Sequence, residues 1–508
     1  MTRILGLVGC ACVAMVLAGA AQGQLAVGVT EDAGKSVGGG GPFFATLAAA
    51  GLSVNRVSVS WDPAHPNVIP GESEIKSWLP RAQTAGVRIM LAVAPAHAQD
   101  LTSSPAAPGL FATFIAHVAQ TFPQVRDFVI GNEPNQPYFW RPQFDSAGKP
   151  LAGGAYEPVL AQAYDALKGI NPTINVIGIG LSPRGNDNPN APSNVSRSPV
   201  RFLRDLGVAY RASHRKKPLM DELAFHPYPS RNNDAPDVGY SWPNAGVVNL
   251  DRIKQAFWDA FNGTAQPTFA ETGKTFAKPV RFELDEVGWQ VAIPPGLAAL
   301  YHGRETPGLV PIDEQTQAQY YSQLITLLEC DSSVRSLNLF HLMDESDLGR
   351  WQSGLERVDG SHRPSYDSVK QTIAQTKGEC QDAQVVWAHA THVVSPYVSW
   401  GNLRRVRSRS TKRWSVLAGA GEEATFTAGI FKARTKRRTI SRGLAKGRPR
   451  PLLRARGTIK AKSRVVVFPR RKLKPGRYLY AIRMAATMNP KRVSVFVSRP
   501  LRVSTRRR

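Results

Sequence analysis

From residue 25 to about 376, short apolar runs alternate with longer stretches whose apolar residues recur three and four apart. Runs of four to six residues rich in Val, Ile, Leu and Phe suit strands, and the longer period suits amphipathic helices. Strands are expected at 25–29, 56–60, 88–93, 127–130, 175–179, 222–225, 280–284 and 336–340. Helical patterns fall between several of them, at 109–120, 157–168, 200–212, 250–261 and 314–329, and a closing helix is expected at 362–377. Eight strands with helices between them is the count of an α/β fold closed as a (β/α)8 TIM barrel. The rival is a doubly wound open sheet. No GxGxxG spacing follows the first strand, and the glycine run 38–41 is expected to be a flexible loop.

After about residue 385 the helical period fades. Short β-like segments at 423–431, 464–468, 476–484 and 492–497 are separated by turns such as Lys474-Pro475-Gly476. They predict a small β-sandwich-like domain, with 434–456 as a basic loop or disordered insertion. The first residues combine a positive start, an apolar run and a small-residue exit at Ala18-Gly19-Ala20 or Ala21-Gln22-Gly23. That pattern is a secretory signal; Leu7-Val8-Gly9-Cys10 as a lipoprotein box is the alternative. The expected division is a signal at 1–23, a barrel at 24–380 and a basic β-rich domain at 385–508, secreted or held at the cell surface. No other stretch is long and apolar enough to span a membrane.

Charge sharpens this division. The chain carries 64 Lys and Arg against 38 Asp and Glu, yet residues 381–508 hold 33 of the bases and only 3 of the acids. A near-neutral body therefore carries a strongly basic tail domain. Such a domain suits an anionic cell-wall polymer or an acidic glycan. No recognition helix or aromatic-interleaved motif speaks for nucleic acid. Solubility or non-specific adhesion is the plainer alternative. Cys10 and Cys12 fall in the signal, which leaves Cys330 and Cys380 as one disulfide or as two free buried thiols. In a barrel their helix ends lie on the face opposite the catalytic loops. The ten histidines are scattered without HxxxH or CxxC spacing, so no metal and no cofactor is expected.

Two segments carry candidate chemistry. Glu133 follows Phe128-Val129-Ile130-Gly131, at the carboxyl end of the fourth strand, where barrels build active sites. Glu286 ends the seventh strand; alternation puts Val280, Phe282, Leu284 and Glu286 on one face and turns Glu283 and Asp285 towards the helices. Glu271, in Ala270-Glu271-Thr272-Gly273, is a decoy, because turn-like sequence precedes it and Lys274 stands where an aromatic is expected. A pair of carboxylates is the minimum equipment for cleaving a glycosidic bond without a cofactor.

Four motifs in order carry a resemblance: Asn132-Glu133-Pro134, Phe225-His226-Pro227-Tyr228, Glu286-Val287-Gly288-Trp289, and Trp351 with Ser353-Gly354-Leu355 before 359–366. Over residues 25–378 the chain resembles the retaining glycoside hydrolases of clan A, the (β/α)8 group that includes families 5 and 39. The resemblance implies Glu133 as general acid/base and Glu286 as nucleophile, with the acid's pKa raised and the nucleophile ionised. It implies Arg56 as the group that holds the nucleophile ionised, Asn132 as a sugar-hydroxyl partner, and His226 and Tyr228 as hydrogen-bond partners of the nucleophile or sugar. Tyr138, Trp140, Trp289 and Trp351 are candidates to stack on sugar faces. The family often ends its eighth strand in a tryptophan; here Leu339-Phe340-His341 puts His341 near that place, which leaves the sugar open. The expected activity is double-displacement hydrolysis of O-glycosidic, β-linked bonds in a polysaccharide or oligosaccharide. The alternative is a non-catalytic carbohydrate-binding or surface-adhesion protein on a barrel scaffold.

Overall fold

A computed structural model describes residues 25–391 and 404–503, apart from 34, 36, 275, 276, 378, 381–384, 386, 409, 410, 445, 447, 448, 462 and 470–472. The expected signal at 1–23 lies outside the described residues. Eight parallel strands pair in sequence order and close on themselves. They are β1 (Ala26–Thr30), β2 (Val54–Trp61), β3 (Arg88–Pro95), β4 (Asp127–Ile130), β5 (Asn175–Leu181), β6 (Glu222–Phe225), β7 (Phe282–Val287) and β8 (Val334–Leu339). Helices α1 (Gly41–Ala49), α2 (Glu72–Thr84), α3 (Ala107–Thr121), α4 (Ala152–Ile170), α5 (Pro199–Ala212), α6 (Leu250–Phe261), α7 (Glu314–Glu329) and α8 (Pro364–Thr376) lie between the strands or follow the last. The expected (β/α)8 barrel is therefore the fold of the larger part. Each strand buries its outward side chains under the helices, in one continuous apolar core.

The barrel interior is layered. Val54, Met90, Ala92, Val129, Ile177 and Ala224 form an apolar plug at mid-height. Below it, at the amino ends of the strands, lie Asp127, Glu222 and Glu283, whose carboxylate oxygens lie within 4.8 Å of one another. One nitrogen of Arg335 stands 2.9, 2.8 and 2.9 Å from the three, and Arg88 adds contacts at 3.2 Å to Asp127 and Glu283. The like charges are thus gathered around the protein's own cations.

Strand β7 departs from the expected alternation. Glu283 and Asp285 point into the barrel, while Phe282 packs outward on Phe225 and Phe269. Between Leu284 and Val287 the pairing with β8 shifts, so that three residues of β7 pass two of β8, Leu337 to Leu339. An extra residue in one strand reverses the facing of the residues beyond it. It turns Glu286 inward beside Asp285, and a regular strand would have sent one of the two outward.

The carboxyl-terminal part is β-rich, as expected. Strands β9 (Arg404–Ser408), β10 (Thr411–Gly419) and β13 (Ser463–Val467) form one antiparallel sheet; β11 (Ala424–Lys432), β12 (Leu453–Ile459), β14 (Gly476–Ala486) and β15 (Val493–Val497) form a second, with β16 (Leu501–Val503) on β14. Val416, Val466, Phe426, Ile430, Tyr480 and Ile482 bury a shared core drawn from both sheets. Residues 434–456 are not a plain loop. They contain helix α9 (Arg437–Gly443), whose Ile440 packs with Leu479 and Val497, and the start of β12. Interspersed arginines hid both elements, because Arg454 and Arg456 break the apolar pattern without leaving the strand. Packing on the barrel also continues past residue 380: Trp387 joins the main core and its carbonyl accepts from the Thr272 amide at 2.9 Å. Cys330 and Cys380 are bonded, which links the chain just past α7 to the chain just past α8.

Candidate active site

All the charged candidates gather at the carboxyl ends of the strands. Glu133 stands three residues beyond β4, in a loop pinned from several sides. The Asn135 side chain donates to Ser182 and Arg197 carbonyls at 3.1 and 3.0 Å and accepts from the Ser182 amide at 2.9 Å. Gln143 donates to the Pro134 carbonyl at 2.9 Å, and the Glu133 amide donates to Gly180 at 2.8 Å. Glu133 itself has φ 39°, a left-handed conformation that costs a non-glycine residue energy and persists only where its surroundings dictate it. Gly131, at φ 84°, precedes it; a Cβ there would stand 2.6 Å from the Tyr156 hydroxyl. The turn that aims Glu133 therefore requires glycine at that position.

His226, directly after β6, joins the two carboxylates. Its Nδ1 lies 2.9 Å from Glu133 Oε1 and 3.5 Å from Glu286 Oε2, and its Nε2 lies 3.2 Å from Asp285 Oδ1. Arg56 completes the group: Nη1 is 2.9 Å from Glu286, Nε is 3.0 Å from Asp285, and Nη2 donates to Asn132 Oδ1 at 2.8 Å. Tyr228 donates to the second oxygen of Glu286 at 3.2 Å. His226 and Asp285 are wholly shielded, whereas the Glu133 and Glu286 side chains keep 15% and 11% of their surface open. The two glutamates, with the half-buried Asn132 and Tyr228, are thus what a ligand can reach, and His226 and Asp285 act through them.

The electrostatics follow from burial against proximity. Burial opposes charge on His226, but Glu286 and Asp285, together with its hydrogen bonds to Asp285 and Glu133, raise its pKa to about 10. It is an imidazolium at neutral pH. Burial pushes the Glu286 carboxyl above its ordinary range, while His226 and Arg56 pull it back down. Asp285, though equally buried, is held below the usual carboxylate range by His226 and Arg56. The sequence-based expectation of a simply ionised nucleophile misses this opposition.

The aromatic candidates divide. Trp351 is half-buried and packs on Tyr228 and Phe340 at 5.0 and 5.2 Å, as a wall beside Glu286. Its segment is tied down by a two-pronged Arg363–Asp344 pair at 2.5 Å. Trp140 and Trp289 do not offer a stacking face. Each is 1% exposed, Trp140 packed on Tyr156, and Trp289 among Tyr320 and Tyr321 with its indole nitrogen donating to Asp234 at 2.8 Å. Tyr138 is 79% exposed at the surface against Phe139. His341 lies beside β1, its Nδ1 2.7 Å from the Thr30 carbonyl. Glu271 is engaged elsewhere, with Lys274 and His389. Glu283 and Asp285 are the residues that the sequence misplaced: both face the barrel interior, and the bulge that follows brings Glu286 in as well.

Likenesses among known proteins are distant. No protein-family model matches this chain, and no curated protein matches it. Similar solved structures include a family 39 glycoside hydrolase from Bacteroides cellulosilyticus WH2, at 14% identity over 88% of this chain and 81% of that one, TM-score 0.48. GH5_18 from Streptomyces cattleya, solved with GlcNAc, shares 14% identity over 73% of this chain and 85% of that one, TM-score 0.43. A β-glucuronidase from Bacteroides uniformis shares 10% identity over 94% of this chain, which spans 46% of that one, TM-score 0.41. The barrel assignment rests on the strand pairing above, and the chemistry on the site itself.

Proposed function

We propose that the protein is a secreted retaining glycosidase that hydrolyses β-linked O-glycosidic bonds of a polysaccharide or oligosaccharide, with Glu133 as general acid/base and Glu286 as nucleophile. The observation that carries this is the approach of both carboxylates to one imidazole nitrogen. Contacts of 2.9 and 3.5 Å to His226 Nδ1 limit the separation of those two oxygens to the sum of the distances. That limit admits the about 5–5.5 Å of a retaining pair and supports the retaining assignment.

In the first step the Glu286 carboxylate attacks the anomeric carbon. The bond to the leaving oxygen breaks as that oxygen takes the proton of Glu133. Water then attacks the glycosyl ester, passing a proton to Glu133 and freeing Glu286. Arg56 and Tyr228 orient the attacking carboxylate from two sides. With Asn132 Oδ1 engaged by Arg56, its amide nitrogen is the group left to donate to a sugar hydroxyl. Trp351 supplies an aromatic face beside the site. The basic domain would hold the enzyme at an anionic wall polymer or acidic glycan, and the segment 1–23 would direct export.

The test is hydrolysis of a panel of aryl β-glycosides and β-glycans, with a 2-fluorosugar used to trap the glycosyl ester. Glu133→Gln should lower turnover about 10²–10⁴-fold, and Glu286→Gln should abolish both turnover and the mass adduct. Equal behaviour of wild type and both variants would remove the proposal.

A further inference from the structure

A cavity of about 660 Å³ lies away from the barrel mouth, in the seam between α6, the segment after residue 386, and the carboxyl-terminal domain. Its volume lies within the about 300–1,000 Å³ of ligand pockets. Trp242 and Trp387 line it, together with Arg252, Gln255, Asp259 and Arg492. Trp242 is braced by the Arg201 guanidinium, 5.5 Å from its ring.

The polar groups are held in place but not all used. Arg492 Nη2 lies 2.8 Å from Asp259, and the same guanidinium pairs with Glu422, while its buried Nε has no hydrogen-bond partner. Among the described residues Arg252 donates through Nη1, to the Tyr240 and Asn244 carbonyls, and its Nε and Nη2 have no partner there. Gln255 binds the Ala390 amide at 2.6 Å and Asp259 at 3.2 Å. Guanidinium donors, carboxylate acceptors and the half-buried indole of Trp242 stand around one space. A sugar ring asks for that combination, because it presents apolar C–H faces and a rim of hydroxyls that both donate and accept. Two guanidinium groups stand with three carboxylates, Asp251, Asp259 and Glu422, so the lining favours a neutral ligand over a polyanion.

We propose that this seam is a second, non-catalytic site that binds a neutral glycan chain through Trp242 and Arg252 and so holds the polymer against the barrel. The proposal extends the glycosidase assignment and rests on it for the class of ligand. It is distinct from the basic surface, whose attraction is Coulombic and fades with salt.

The experiment uses the full chain carrying Glu286→Gln, so that bound glycan survives, and insoluble cellulose, xylan, mannan and β-1,3-glucan as probes. It is run at about 1 M salt, where the screening length is about 3 Å and the basic surface contributes little. The expected result is depletion by at least one probe, weakened about tenfold by Trp242→Ala and retained by Trp242→Phe. Arg252→Gln is an independent variant, and thermal unfolding checks that each is folded. Depletion by none of the probes, or equal depletion with Trp242→Ala and Arg252→Gln, overturns the proposal. Hydrolysis of a soluble aryl glycoside by Trp242→Ala should match wild type. Trp242-dependent binding without any hydrolysis by the wild-type chain would sink the catalytic assignment alone; hydrolysis with Trp242-independent binding would sink this one alone.

Discussion

His226 is the residue on which the site turns. It touches Glu133, Glu286 and Asp285; the resemblance implied a partner in the nucleophile or sugar, and the contacts to Glu133 and Asp285 come from the fold. Its pKa rises from the ordinary value near 6.5 to about 10 on folding. A cation that binds its proton more tightly when folded contributes its full stabilisation below pH 6.5 and loses it as pH climbs towards 10. The thermal midpoint should therefore decline across that window. Asp285→Asn removes one of the carboxylates that hold the proton, so the decline should still begin near pH 6.5 but end at lower pH, and the protein should be less stable throughout. A midpoint-against-pH curve unchanged in shape would show that Asp285 does not hold the imidazolium. Glu133, Glu286, Arg56, Asn132 and Tyr228 are legible in the sequence because each follows or opens a recognisable apolar run. Asp285 is not, since which face of β7 turns inward is set by pairing within the barrel and not by the alternation itself. Trp140 and Trp289 mislead for a related reason: an indole beside a catalytic segment looks the same in sequence whether it faces a cleft or the core.

At the scale of elements, periodicity locates the limits of every barrel strand to within three residues. Parallel strands covered on both faces read as continuous apolar runs, which is a strong local signal. The expected limits of α6 and α7 match the observed ones. The weak places are those where local sequence is ambiguous by nature. The bulge in β7 arises from pairing with β8, and α9 and β12 are written in arginine-rich sequence whose buried positions are few. The link between Cys330 and Cys380 closes a loop of 50 residues between the ends of two shell helices. Replacing both cysteines with alanine should lower the unfolding free energy by about 2–5 kcal/mol, near 4 on loop entropy alone. Denaturant unfolding of oxidised wild type and the double variant measures it. Turnover at 25 °C should be unaffected, because the bond lies remote from His226; a loss of activity without a loss of stability would contradict that placement.

At the scale of the molecule, the charge asymmetry becomes a geometric one. Within 404–503 the acids are Glu422 and Glu423, and both face the seam: Glu422 pairs with Arg492, and Glu423 with Arg201 of α5 at 3.1 Å. The remaining surface of the domain has no acid of its own to offset it. Thr427 of β11 pairs with Arg456 on one side and Arg483 on the other, which sets two arginines on one face of the sheet. An acidic polysaccharide should be retained at about 0.1 M salt, with a screening length near 10 Å, and released well before 1 M. Reversing Arg456 and Arg483 to glutamate should weaken retention while leaving hydrolysis of small substrates intact. Retention indifferent to salt would rule out the Coulombic account.

Sequence by itself determined the features that depend on neighbours along the chain. The eight barrel strands, most of the helices between them, the basic tail and the place of the two glutamates at strand ends all belong to that class, because burial imposes its period locally. Tertiary structure alone decided the features that depend on pairing and closure. Closing the barrel brought Arg56, Glu133, His226 and Asp285 around one point, and a three-for-two mismatch between β7 and β8 admitted Glu286 beside them. It also sent Trp140 and Trp289 into the core, and docked the basic domain so that its only described acids meet the barrel. Residues far apart in sequence share a site only when strand register places them there, and register is a property of the sheet.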